Sequence, residues 1–191
     1  LFDLKMKHYI LLSLFLTCSF QSSIAQLPDY VPPSNLLAWF GFDNSYSDLS
    51  GNNNNGVPQN GITFGIDRFG NSQSALSLDG INDYVTGSID SLYNTSRFSV
   101  SAWVKYIGNA SSPAYDLYFQ LGVYGNHTMA IGYNYPNQNL DFYGGNCFSN
   151  PYTSINLNNA WHHLVLVDSF NVSKVYLDGE LLVQWNSGGF N

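Results

Sequence analysis

The chain has 191 residues, of which 45% are hydrophobic, 16% aromatic and only 10% charged, a profile that excludes a disordered, collagen-like or coiled-coil protein. With 14 Tyr, 13 Phe and 17 Gly, it favours strands and turns over helices. Six basic residues against thirteen acidic ones give a formal charge of −7, the wrong sign for neutralising nucleic-acid phosphates or anionic lipid headgroups, so neither is an expected partner.

In chain order, the first element is an address. Met6, Lys7 and His8 precede a largely apolar run from Ile10 to Phe20, and Ser23-Ile24-Ala25 follows. A basic start, an apolar stretch too short to span a bilayer and small residues at −3 and −1 make a secretory signal. Residues 1–25 are therefore read as upstream residues plus signal peptide, cleaved after Ala25 and leaving no membrane span. Secretion or display at the cell surface is the expected location. A lipoprotein reading, with Cys18 acylated, is opposed by Phe15-Leu16-Thr17, a poor match to the small residues such processing prefers. With Cys18 removed, Cys147 is the remaining cysteine, and no intramolecular disulfide can form.

Residues 26–35, with Pro28, Pro32 and Pro33, read as an extended lead-in, and 36–191 as one domain. From Leu36 onward short apolar segments alternate with Gly/Asn/Asp/Ser clusters at intervals of about ten residues, the pattern of an antiparallel sandwich. The clearest strand is Phe98 to Lys105, where Phe98, Val100, Ala102 and Val104 share one face and Ser99, Ser101, Trp103 and Lys105 the other. Trp161 to Asp168, apolar on both faces, reads as a central strand. Asp178-Gly179 between apolar runs predicts a hairpin with a type I′ turn. Further strands are expected over 36–42, 75–79, 83–86, 115–123, 129–133, 140–143 and 181–185.

Several catalytic chemistries lack their residues. Glycosidases usually need two carboxylates flanking the scissile bond. Glu180 is the chain's single glutamate and sits beside the hairpin turn, and no two Asp occur at i, i+2 in a clear strand. No Gly-x-Ser-x-Gly elbow occurs. His162 and His163 are adjacent in a strand, so they point to opposite faces and cannot bind one ion together.

Two binding chemistries remain. The segment Asp48 to Gly56 offers one carboxylate, four Asn amides and free carbonyls, the oxygen ligands that calcium takes; it also reads as a plain Asn/Gly turn. Asp48, Asn52 and Asn54 are the candidate ligands, with Asp43 and Asp83 as outside candidates. Sugar recognition needs aromatic faces for stacking and polar groups for hydroxyls. Tyr133, Tyr135, Asp141, Tyr143, Asn146 and Tyr152 concentrate these side chains and form the candidate ligand site; half-buried strand tyrosines account for the same residues.

A family pattern runs through the chain. Leu37-Ala-Trp-Phe-Gly-Phe42-Asp43, Asp48-Leu-Ser-Gly-Asn52, Asp67-Arg-Phe-Gly70, Ala75-Leu-Ser-Leu-Asp-Gly80, Asp83-Tyr84-Val85, Phe98 to Trp103, Trp161-His-His-Leu-Val165 and Val175-Tyr-Leu-Asp-Gly179 occur in order. Together they resemble the laminin-G-like, concanavalin A-like jelly-roll domains of secreted bacterial proteins, especially of the Bacteroidetes type. The resemblance implies an all-β, two-sheet antiparallel jelly-roll sandwich, truncated at its C-terminus because the family's closing strand pair is not found. It also implies a structural calcium near the Asp48 loop. The expected function is a non-catalytic extracellular recognition module for glycans or cell-surface proteins. The alternative is a calcium-stabilised structural or adhesin spacer of a larger surface protein; a glycoside hydrolase is the least favoured reading.

Overall fold

The computed structural model describes residues 27–89, 95, 97–107, 116–123, 126–134, 139–143, 152–155, 157, 159–170 and 172–186. The expected signal peptide, Cys147, Tyr135 and Asn146 lie outside them. Among the described residues every regular element is a strand. There are four short ones, β1 (Val57–Gln59), β2 (Thr63–Gly65), β3 (Ala75–Ser77) and β4 (Tyr84–Thr86). Eight follow: β5 (Arg97–Lys105), β6 (Asp116–Val123), β7 (Asn126–Asn134), β8 (Asn139–Tyr143), β9 (Tyr152–Ser154), β10 (Trp161–Ser169), β11 (Val172–Leu177) and β12 (Glu180–Asn186).

Two four-stranded antiparallel sheets, ordered β12-β11-β10-β5 and β6-β7-β8-β9, form the body. Their inner faces share one apolar cluster: Val104, Leu164, Leu166, Val175 and Leu177 from the first, Met129, Ile131, Tyr133, Leu140 and Phe142 from the second, with Leu157. Phe142 and Trp185 meet across the layers with ring centroids 5.9 Å apart. Burying each large apolar side chain contributes about 1.5–3 kcal/mol, so this two-layer core is the fold's main source of stability. Two buried polar residues are matched within it, Ser173 donating to Asp168 Oδ1 at 2.6 Å.

The sandwich expected from alternating segments is therefore present. β5 alternates as the sequence predicts, its even-numbered residues turned inward and its odd-numbered ones exposed. β10 is central, paired to β5 and β11. The β11–β12 hairpin turns through Asp178 (φ 51°) and Gly179 (φ 89°), both left-handed as a type I′ turn requires.

The strand expected over 36–42 does not form. Trp39 N–H donates to Asp48 Oδ1, Trp39 C=O accepts from Leu49 N–H, and the side chains of Asn52 and Asn54 donate to the carbonyls of Leu36 and Leu37. Side chains replace a partner strand, and Phe42 turns the chain at φ 56°. β1, β2 and β9, three residues each, are too short to carry a readable alternation; β1 also contains Pro58.

Candidate functional site

Strand register sorts the candidate sugar-binding residues. Tyr133 belongs to the core side: it is 2% exposed, its ring packs on Tyr106 at 4.6 Å, and its hydroxyl donates to Ile155 C=O at 3.3 Å. A ring enclosed in this way has no face for a sugar, so Tyr133 is a core residue rather than a binding one. Asp141 lies opposite Gly132 on β7 and Tyr152 on β9, and Tyr143 lies opposite Ala130. These positions share the parity opposite to Tyr133 and Leu140, the face of the β6–β9 sheet turned away from the shared core. Gln120, opposite Ala130 on β6, joins them from a segment that sequence reasoning did not single out. Asp141 is 8% exposed, a carboxylate sheltered beside two of the smallest residues on that face. Of the six residues proposed, register thus unites Asp141, Tyr143 and Tyr152 and removes Tyr133.

The Asp48 loop is organised around its carboxylate. Oδ1 accepts from the N–H groups of Trp39 and Ser50, both at 2.9 Å, and Oδ2 accepts from Ser50 Oγ at 2.8 Å and Asn54 N–H at 3.0 Å. Partial burial opposes ionisation, but these donors outweigh it and hold the carboxyl below its ordinary value. Asn52 and Asn54 aim their amide N–H groups at backbone carbonyls, and Asn55 Oδ1 accepts from Asp48 N–H. A calcium site needs converging free oxygens; here four donors already fill the Asp48 carboxylate, and the Asn52 and Asn54 amides turn their N–H groups to the Leu36 and Leu37 carbonyls, so these side chains serve the loop's own hydrogen bonds. Asp43 is exposed at a bend and Asp83 belongs to another turn. Among the described residues no three His, Cys, Asp or Glu side chains converge on one point.

Asp83 lines a cavity of about 190 Å³ with Asn60, Gly61, Thr63, Ser77, Leu78 and Asp79. Here two carboxylates do share a space. Asp79 Oδ1 caps its own turn through Ile81 and Asn82 N–H, and Asp83 Oδ2 accepts from Asp79 N–H at 3.2 Å. The space is below the roughly 300–1,000 Å³ of ligand pockets and has no aromatic wall, so it does not hold a sugar between acid and base.

The two histidines diverge as expected of neighbours in a strand. His162 Nδ1 meets Asp178 Oδ2 at 2.7 Å and its Nε2 meets Leu157 C=O at 3.2 Å. Asp178 Oδ1 also accepts from His163 N–H at 2.8 Å. Burial opposes it, but the bond from His162, the His163 N–H and the nearby imidazoles keep Asp178 below its ordinary value. His163 points the other way, stacked on Trp103 at 5.1 Å and bonded to Ser101 Oγ at 2.8 Å.

The family profile of the concanavalin A-like lectin/glucanases superfamily, in its laminin-G form, matches residues 79–184. That span covers the shared core, the β6–β9 sheet, and the β12-β11-β10-β5 sheet up to residue 184 of β12. No curated protein matches the chain. Domains of this laminin-G type are typically non-catalytic and serve as binding or structural modules. With the all-β two-sheet architecture and the ordered motifs pointing the same way, the chain belongs to the concanavalin A-like lectin/glucanases superfamily.

Proposed function

We propose that this chain is a non-catalytic extracellular recognition module, of the kind carried by secreted bacterial proteins, which binds carbohydrate through the outer face of its β6–β9 sheet. The observation that carries the reading is Asp141. It is a sheltered carboxylate in register with Gly132 and with the Tyr152 position on the face turned away from the shared core, and a carboxylate near aromatic positions is the residue combination that sugar recognition uses. Export by the N-terminal signal would bring this face to glycans outside the cell. The lone glutamate beside the hairpin and the small cavity at Asp79 and Asp83 supply no acid–base pair.

A glycan panel tests it. The full chain should retain a glycan, and Gln120→Ala and Asp141→Asn should weaken retention at least several-fold while melting stays cooperative. Turnover of any polysaccharide would overturn the non-catalytic reading. A protein that binds no glycan but holds to purified surface proteins would be a protein-recognition or spacer domain instead.

A further inference from the structure

The cations of this acidic chain are not scattered. Beyond residue 7 it has four Lys and Arg side chains: Arg68, Arg97, Lys105 and Lys174. Arg97 and Lys105 end β5 on its odd-numbered, exposed side. Lys174 on β11 pairs with Val167, which pairs with Ser99 of that same side. Arg68 reaches in from the β2–β3 loop, its guanidinium carbon 4.5 Å from the Trp103 ring centroid. All four therefore lie on the outer face of the β12-β11-β10-β5 sheet, the sheet opposite to Asp141.

Among the described residues no ion pair neutralises them. The outward positions of β5, β10 and β11 contain no Asp or Glu. The ion pair among the described residues is His162 with Asp178, at the hairpin turn. Asp67, next to Arg68, spends both oxygens on Phe69 N–H, Asn71 N–H and Asn71 Nδ2. Both arginines are instead held by rings: Arg68 lies 4.2 Å from the Phe69 centroid as well as against Trp103, and Arg97 lies 4.1 Å from Phe170. A guanidinium set against a ring can still offer its N–H fork, the bidentate partner of a carboxylate, to an arriving ligand. Phe69 is 73% and Trp103 43% exposed, so apolar ring surface flanks the charges.

We propose that this face is a second binding surface, distinct from the Asp141 face, for a carboxylate-bearing polysaccharide of the polyuronate class. The charge density decides the polymer. Eight residue steps separate Arg97 from Lys105, about 27 Å at strand rise, so four cations serve a length over which duplex DNA would present a phosphate charge every ~1.7 Å. A polyuronate has one carboxylate per sugar and alternates it with C–H faces, which matches spaced arginines interleaved with Trp103, Phe69 and Phe170.

The experiment uses the full chain and four probes: a polygalacturonate oligosaccharide, a neutral glucan of equal length, duplex DNA and vesicles with anionic lipid. Calorimetric titration at 50 and 200 mM salt should show binding to the uronate, weakened several-fold by the added salt. Arg68→Gln or Lys174→Gln should each weaken it about three- to ten-fold, and the quadruple Gln variant should abolish it with an unchanged melting curve. Trp103→Ala, which keeps every charge, should also weaken it. Uronate binding retained by the folded quadruple variant would overturn the proposal, as would tighter binding to DNA or vesicles. Neutral-glucan binding with no uronate binding would overturn it while leaving the Asp141 reading intact. Loss of every glycan signal would overturn both.

Discussion

The loop from Asp48 to Gly56 and the outer face of β5 are both polar, and they use polarity in opposite ways. In the loop, one carboxylate accepts four hydrogen bonds and the asparagine amides close on the carbonyls of Leu36 and Leu37. On the β5 face, Arg68, Arg97, Lys105 and Lys174 form no ion pair among the described residues, and the two arginines lie against aromatic rings. A polar group whose partners lie within the chain acts on folding; one whose partners are withheld acts on something that arrives. The distinction predicts that substitutions in the loop change stability and substitutions on the face change binding.

The largest effect is expected at Asp48. Asp48→Ala leaves the N–H groups of Trp39, Ser50 and Asn54 without their acceptor, and each such loss at a charged acceptor costs about 1–3 kcal/mol. With water reaching part of the loop, a total of roughly 2–4 kcal/mol follows, a fall in Tm on the order of 5–15 °C for a domain of this size. Because protein donors already fill this carboxylate, the loss should be equal in calcium and in chelator, as read by thermal unfolding. A calcium-dependent share of it would put the ion back in the loop.

Acid should expose the same bonds. Asp48 and Asp178 both have carboxyls held below their ordinary value in the folded chain. Their contribution is therefore complete above the unfolded carboxylate value of about 3.9 and is lost as pH falls through the lowered folded value. The wild-type Tm should drop steeply below about pH 4, and an Asp48→Asn, Asp178→Asn double variant, less stable at neutral pH, should drop less steeply. Equal slopes would mean that other carboxylates govern acid unfolding.

Gly179→Val comes next. A Cβ there meets nothing within 4 Å, so any penalty comes from φ +89° alone, and forcing a β-branched residue into that region costs about 1–2 kcal/mol. Chemical denaturation should show that loss. No change would place the turn outside type I′.

These cases also show what a sequence of this kind exposes. β5, β10 and the Asp178-Gly179 hairpin were legible because each is long enough for period-two alternation or carries a turn dipeptide with one strong conformational preference. The segment 36–42 has the same apolar look, yet its hydrogen bonds go to the side chains of a loop several residues later, which no local pattern encodes. Tyr133 and Asp141 sit in neighbouring strands with similar composition, but they fall on opposite faces because pairing of β7 with β8 sets Tyr133 against Leu140 and Asp141 against Gly132. Register is a pairwise property, and a one-residue slip exchanges the faces. The clustering of four cations separated by over a hundred residues was invisible for the same reason.

The smallest stability effect is expected where the polarity is open. Arg68→Gln removes stacking on Phe69 and Trp103, worth about 0.5–1 kcal/mol at an exposed site, and Gln's own methylenes replace part of that packing. The net change in unfolding free energy should stay within about 0.5 kcal/mol, well below that of Asp48→Ala. A larger loss, together with a shifted indole signal from Trp103, would make Arg68 a clamp on the β2–β3 loop and so a folding residue of the Asp48 kind. A neutral result leaves an arginine that the fold does not need, set against two rings, on the one face where this acidic chain collects its positive charge.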